Sequence, residues 1–233
     1  MIPQILYTNK NCQDVWQIFY DQNKKFYNGD LYVISDTDKF LDVDQKKIYT
    51  YENSEPYWKV WVNALEKFGL ENFIYLQEDF ILYDQVDTQK ITSIQNFLNS
   101  SNYSFVRLIK SGNLNSNKIE DNLFEIESNN QDIFSMQPSI WKTKDYSELM
   151  SGVMESKWLE NYKYREFMVD KNMKGLYYYN GENKRGLNHY DSSIYPYIAT
   201  ALVRGKWNLR EYNNELKPLL EKYKIKINLR GIF

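Results

Sequence analysis

The stretch Phe73-Ile74-Tyr75-Leu76-Gln77-Glu78-Asp79-Phe80-Ile81-Leu82 limits what this chain can fold into more than any other part of it. Four apolar, strand-prone residues run into two adjacent carboxylates and the apolar character then resumes, so the acidic pair interrupts what otherwise reads as buried strand. An uncompensated ionised side chain in a packed core is expensive. The solutions are an adjacent base, exposure at the strand's end, or a bound cation. The last two together describe a metal site at the carboxyl edge of an α/β sheet, where ligands bind in such folds.

The segments ahead of this stretch fit that fold. Residues 4–8 read as a first strand that closes on Asn9-Lys10-Asn11, and residues 14–26 carry Val15, Ile18, Phe19 and Phe26 on a helix ended by Asn28-Gly29. Residues 31–34 form a second strand closing on Ser35-Asp36-Thr37-Asp38. Strand, helix and strand with short links make a βαβ unit and favour a parallel, right-handed arrangement. Residues 57–68, amphipathic at the 3.6 period, stop at Gly69 and lead into the acidic strand.

Beyond it we expect a helix over 86–98, a strand over 104–109 containing Arg107, and a loop or small β excursion over 111–130. A strand over 133–140 and helices over 144–150 and 158–168 follow. Residues 176–180 read as strand and 181–188 as a mobile Gly- and charge-rich loop. Residues 195–203 suit either helix or strand, and 211–223 a terminal helix. No repeat or linker divides the 233 residues, so one domain, 1–233, is expected.

Hydrophobic residues at 42% and charged ones at 26% are ordinary globular values. The net charge of −2 is spread with interspersed signs, which leaves no broad basic face for nucleic acid. The single Cys12 excludes an internal disulfide and a multi-cysteine metal site, and the single His189 excludes a multi-histidine zinc centre. The N-terminus has no basic and apolar leader pattern, and no eighteen apolar residues run together. These features lead us to expect a soluble, cytoplasmic protein without a transmembrane segment. The 21 Tyr and 6 Trp suit stacking on sugar rings and nucleobases, and equally suit an aromatic core.

Three sets of oxygen ligands gather at expected strand ends: Thr8/Asn9, Asp36/Asp38 and Glu78/Asp79. Magnesium or manganese takes one or two carboxylates from protein and fills its other positions from phosphate and water, which makes a diphosphate site. Each set has a local reading as well, Thr8 and Asn9 as turn formers and Asp36 as a cap.

The order of these features, with the later Phe134-Ser135-Met136-Gln137-Pro138-Ser139-Ile140-Trp141, resembles the GT-A class of nucleotide-sugar-dependent glycosyltransferases, in particular its virus-encoded or bacterial glycan-biosynthesis members. Glu78-Asp79 stands where that class has Asp-x-Asp; because the literal motif is absent, Asp79 is the residue that transfers as metal ligand. The resemblance implies a Rossmann-type mixed, mostly parallel sheet flanked by helices, with a nucleotide-binding half over 1–110 and an acceptor-binding half with a C-terminal extension over 111–233. It implies a UDP-sugar donor, a glycan acceptor, and Mn2+ or Mg2+ as cofactor. Thr8 and Asn9 would line the nucleotide pocket, Asp36 would bond the base or ribose, and Gln77 and Glu78 would lie along the ribose and donor sugar. His189 would be a second metal ligand, and Lys184 and Arg185 would close over the diphosphate as a lid. Glu160 would be the base of an inverting transfer, with Glu155 and Glu166 as rivals and Trp158 packing on the acceptor. Two other readings remain open: a metal-dependent nucleotidyl- or phosphotransferase, against which stands the missing Gly-rich phosphate loop, and a glycan-binding module without activity.

Overall fold

The computed structural model of the chain describes residues 1–114, 117–155, 157 and 162–233. In chain order these form β1 (Gln4–Tyr7), α1 (Gln13–Phe26), β2 (Leu31–Ser35), β3 (Ile48–Thr50), α2 (Tyr57–Phe68), β4 (Asn72–Gln77) and β5 (Ile81–Leu82). Next come α3 (Thr88–Ser100), β6 (Phe105–Arg107), β7 (Asn117–Glu120), β8 (Leu123–Ile126), β9 (Ser139–Lys142), α4 (Thr143–Val153), α5 (Tyr162–Asp170) and β10 (Gly175–Tyr178). Five two-residue strands follow, β11 (Lys184–Arg185), β12 (His189–Tyr190), β13 (Tyr197–Ile198), β14 (Leu202–Val203) and β15 (Lys206–Trp207), and then α6 (Leu209–Lys222) and α7 (Ile227–Arg230).

Among the described residues nine strands make one sheet in the order β3-β2-β1-β4-β9-β6-β10-β8-β7. The first four are parallel, β9 enters antiparallel between β4 and β6, and β10 runs parallel to β6. β8 is antiparallel to β10, and β7 to β8. Only β9 and β8 therefore run against the other strands, so the sheet is mixed but mostly parallel, and helices flank it, as the sequence predicts.

The chain moves outward from β1 to β2 and β3, then returns past β1 to β4. Right-handed crossovers in opposite directions place α1 and α2 on opposite faces of the sheet. Side-chain alternation along β4 agrees with this. Phe73 and Tyr75 meet Trp61 of α2, with ring centroids 6.0 and 5.5 Å apart, and Tyr146 of α4 closes the cluster at 5.0 Å from Trp61. Trp61 is fully buried, so truncating it to Ala would cost about 3–5 kcal/mol. Gly69 ends α2 at φ 62°, the left-handed conformation a glycine adopts without strain.

Because the chain leaves β1 toward β2 and leaves β4 the other way along the sheet, toward β6, a crevice opens beyond their carboxyl ends. Both strands end beside it in register, Tyr7 opposite Gln77. This topology puts the Glu78-Asp79 pair at the place where a doubly wound sheet admits a ligand.

Two sequence expectations are corrected, and one left open between helix and strand is decided for strand. The strand predicted over 133–140 begins only at Ser139, because Pro138 precedes it and Ile133 and Phe134 pack as loop, with Phe134 stacked on Tyr164 at 4.3 Å. The mobile loop predicted over 181–188 contains β11, paired with β12 in a short hairpin. Residues 195–203 supply β13, which pairs with β5.

Candidate active site

The turn that carries Glu78 and Asp79 joins β4 to β5. Pairing of β5 with β13 brings residues 199–202 against it. The Ala201 N–H donates to the Asp79 carbonyl at 3.3 Å, and the Leu202 N–H donates to the Asp79 carboxylate. Burial, reinforced by the neighbouring Glu78 charge, pushes the Asp79 carboxyl up to about 8. Burial also raises Glu78, but the Cys12 thiol and the Thr8 hydroxyl donate to it and Arg230 adds a favourable positive charge. Thr8 is almost wholly buried, and its oxygen accepts the Trp16 indole N–H at 2.9 Å. It orients Glu78 and is on the wall of neither of the two cavities at this end of the sheet.

Two cavities lie at this end of the sheet, and Asp79 is on the wall of one of them. The smaller, about 320 Å³, lies over the ends of β1 and β2 and is lined by Tyr7, Asn9, Asp36, Tyr51, Tyr57 and Lys157 among others. Tyr7 and Tyr51 stack at 5.6 Å with planes 6° apart. Asn9 accepts the Asn11 N–H at 3.0 Å, a turn-forming bond that coexists with its position on the cavity wall. Asp36 accepts the N–H of Lys10, 26 residues earlier, at 2.7 Å, so this bond ties β2's end to the β1–α1 link and does not cap the segment that follows Asp36. The larger cavity, about 460 Å³, is lined by Gln77, Asp79, Asp132, Gln137, His189 and Thr200 among others. Three tyrosine rings thus share the smaller cavity with amide and charged side chains, and the larger, where Asp79 opens, is lined mainly by amide, hydroxyl and carboxylate groups.

His189 does share a cavity with Asp79, although 110 residues separate them in the sequence. Its Nε2 stands 3.1 Å from Gln137 Nε2, and the Gln137 Oε1 accepts the Tyr197 hydroxyl at 2.6 Å. With Gln137 Oε1 engaged by Tyr197, the amide N–H donates and His189 Nε2 accepts. That nitrogen reaches a cation only by giving up Gln137. Burial, with Arg107 nearby, lowers the His189 pKa and keeps the imidazole neutral; Glu211 opposes this shift.

Lys184 and Arg185 are not placed as a lid. Arg185 is bound to Asp191 at 3.2 Å, to Glu215 at 2.9 Å and to the Glu211 carbonyl at 3.1 Å, and lies over the Tyr212 ring. Lys184 is exposed beside it, and neither lines the two cavities. Glu160 and Trp158 lie outside the described residues. Of the rivals, Glu155 pairs with Lys163 at 2.6 Å and Glu166 is exposed on α5.

At the end of β4 a hard divalent cation would find one carboxylate on the cavity wall, Asp79. Asp79, half-buried and pushed up by burial and the neighbouring Glu78, is the type of carboxylate such an ion would neutralise. Among the described residues no group of three or more His, Cys, Asp or Glu side chains surrounds a common point, so phosphate and water would complete the ion's shell. Among the residues of the larger cavity not singled out in the sequence are Asp132 and Gln137. Each belongs to the loop ahead of β9, and no local motif distinguishes either.

No protein-family model and no curated protein matches the chain. Solved structures do. The chain is similar to S. aureus TarS 1-349 at 13% identity, covering 97% of this chain and 65% of that one, with a TM-score of 0.49. It is similar to a cytidylyltransferase from Leptospira borgpetersenii serovar Hardjo-bovis at 12% identity, covering 100% and 99%, with a TM-score of 0.47. A CMP:2-keto-3-deoxy-manno-octonic acid synthetase complexed with CTP shares 9% identity over 76% and 89% of the two chains, with a TM-score of 0.48. Likeness at this level says nothing of what this chain binds or transforms.

Proposed function

We propose that this chain is a metal-dependent glycosyltransferase that moves a sugar from a UDP-sugar to a glycan hydroxyl with inversion. The observation that carries the reading is the position of Glu78 and Asp79. They follow β4 where its end stands beside that of β1, with Asp79 opening on a polar cavity, while a second cavity carrying three tyrosine rings lies over the ends of β1 and β2. The aromatic cavity with Asp36 and Asn9 suits a base and ribose, because ring faces stack and the carboxylate and amide supply edge contacts. The polar cavity suits sugar hydroxyls, which its amides and hydroxyls match in donors and acceptors.

Asp79 would hold manganese or magnesium. The ion would neutralise the charge that develops on the departing diphosphate. Glu78, tied down by Thr8 and Cys12, adds negative potential beside Asp79, and His189 faces the same space as a neutral polar group. The β1–α1 link, Thr8-Asn9-Lys10-Asn11-Cys12, contains no glycine, which disfavours a backbone cradle for a nucleoside triphosphate. Among the described residues no helix is long and apolar enough to cross a membrane.

The test is calorimetric titration of UDP into the protein with and without MnCl2, with CDP and GDP as comparisons. UDP binding that requires manganese is expected. Equal heats with and without the metal, or none from any nucleotide, overturn the reading. Product analysis with UDP-sugars or nucleoside triphosphates distinguishes sugar transfer from nucleotidyl transfer.

A further inference from the structure

Resting on that reading, we propose that Asp132 is the base that takes the proton from the incoming hydroxyl. The larger cavity has two carboxylates among its described lining residues, Asp79 and Asp132. They come from separate parts of the fold. Asp79 follows β4 at the crevice where the diphosphate would sit, whereas Asp132 belongs to the loop between β8 and β9. An inverting displacement has the leaving group and the base act on opposite faces of the sugar ring, which carboxylates carried by different wall segments of one cavity permit.

The loop is built to hold that carboxylate. Asp132 Oδ2 accepts the Asn113 N–H at 3.1 Å, and the Asp132 N–H donates to Asn130 Oδ1 at 2.8 Å. Beneath them the fully buried Arg107 donates to Ser111 Oγ at 2.9 Å and to the carbonyls of Asp132 and Ile133 at 2.7 and 3.2 Å. One guanidinium therefore joins the two chain segments that form this wall. Gly112 leaves the room that the carboxylate occupies: a Cβ there would lie 2.2 Å from Asp132 Oδ2. Its φ of 74° also belongs to the region that favours glycine.

In the step, the hydroxyl oxygen bonds to the anomeric carbon and the bond from that carbon to the diphosphate oxygen breaks. The electron pair leaves with UDP, and the proton passes to Asp132. With water in place of the glycan hydroxyl, the same step is donor hydrolysis, so no acceptor need be known to test it.

The experiment measures UDP release from UDP-glucose, UDP-galactose and UDP-N-acetylglucosamine in MnCl2, for the unaltered chain and Asp132→Asn, with and without sodium azide. Asparagine keeps an oxygen for the Asn113 N–H but accepts no proton. We expect hydrolysis by the variant to fall about 100-fold or more, UDP–manganese affinity to stay within about twofold, and azide, an anion needing no base, to restore turnover to glycosyl azide. Hydrolysis within about threefold of the unaltered chain overturns the assignment, as does a loss of UDP affinity that matches the loss of turnover, or failure of azide to restore it. Absence of UDP–manganese binding by the unaltered chain instead sinks the functional reading on which the assignment rests.

Discussion

His189 Nε2 and the Gln137 side-chain amide stand 3.1 Å apart, and the amide is held from behind by Tyr197. Because the chain has one histidine, its imidazole signals need no assignment. NMR titration should show His189 protonating below the ordinary ~6.5, the direction that burial and Arg107 impose. The unfolded imidazole takes its proton first as pH falls, so this group costs stability progressively below about pH 6.5. Gln137→Ala should move the titration and free Nε2. An imidazole that titrates at or above the unperturbed value would contradict the arrangement.

The Asp79 carboxyl, pushed up to about 8, makes the opposite kind of contribution. Its folded pKa lies above the unfolded ~3.9, so its stabilising effect is full below about pH 4 and is lost as pH rises through about 8. Without metal, Asp79→Asn should therefore raise the melting temperature at pH 8.5, by about 2–4 °C for each ~1 kcal/mol recovered. The same variant should lose the rise that MnCl2 and UDP together give the unaltered chain. A variant that melts lower and still responds to metal would show Asp79 to be a structural group.

Arg185 is expected to affect stability and leave nucleotide binding unchanged. Its partners Asp191 and Glu215 are about three-quarters or more buried, so Arg185→Ala leaves two carboxylates without their cation and detaches the β11–β12 hairpin from α6. A lowered melting temperature with unaltered UDP affinity is the expected pair of results. A tenfold weaker affinity at unchanged melting temperature would restore the arginine to the diphosphate.

The aromatic cavity offers a test by ring removal. Tyr51→Phe keeps the face that stacks on Tyr7, whereas Tyr51→Ala removes it. If the nucleobase is held there, alanine should weaken UDP binding by roughly tenfold, within the ~1–3 kcal/mol that stacking one base is worth, and phenylalanine should change it little. Equal affinity of both variants would move the base elsewhere.

How much of this could be read from the residues differs from segment to segment. The run from residue 57 to 79 was legible because its signals are local: a 3.6 period, a glycine stop, an apolar strand and an acid pair. The loop ahead of β9 was not, since Ile133, Phe134 and Met136 show strand composition while their burial comes from packing against α5 and from the carbonyls that Arg107 needs. Local order hid the roles of Thr8 and Arg185, whose partners lie 70 and 30 residues away. Asp132 was passed over because neither of its neighbours in sequence marks it; what places it is Arg107, 25 residues earlier.

The reversed direction of β9 has a consequence for how such a cleft can diversify. A strand that runs with its neighbours presents the residues that come after it, but β9 presents those that come before, so the segment between β8 and Ser139 reaches the cavity from the far side. Lengthening or rewriting that segment would reshape the chamber around the substrate, while the nucleotide end, made by the turns after β1, β2 and β4, would be left as it is.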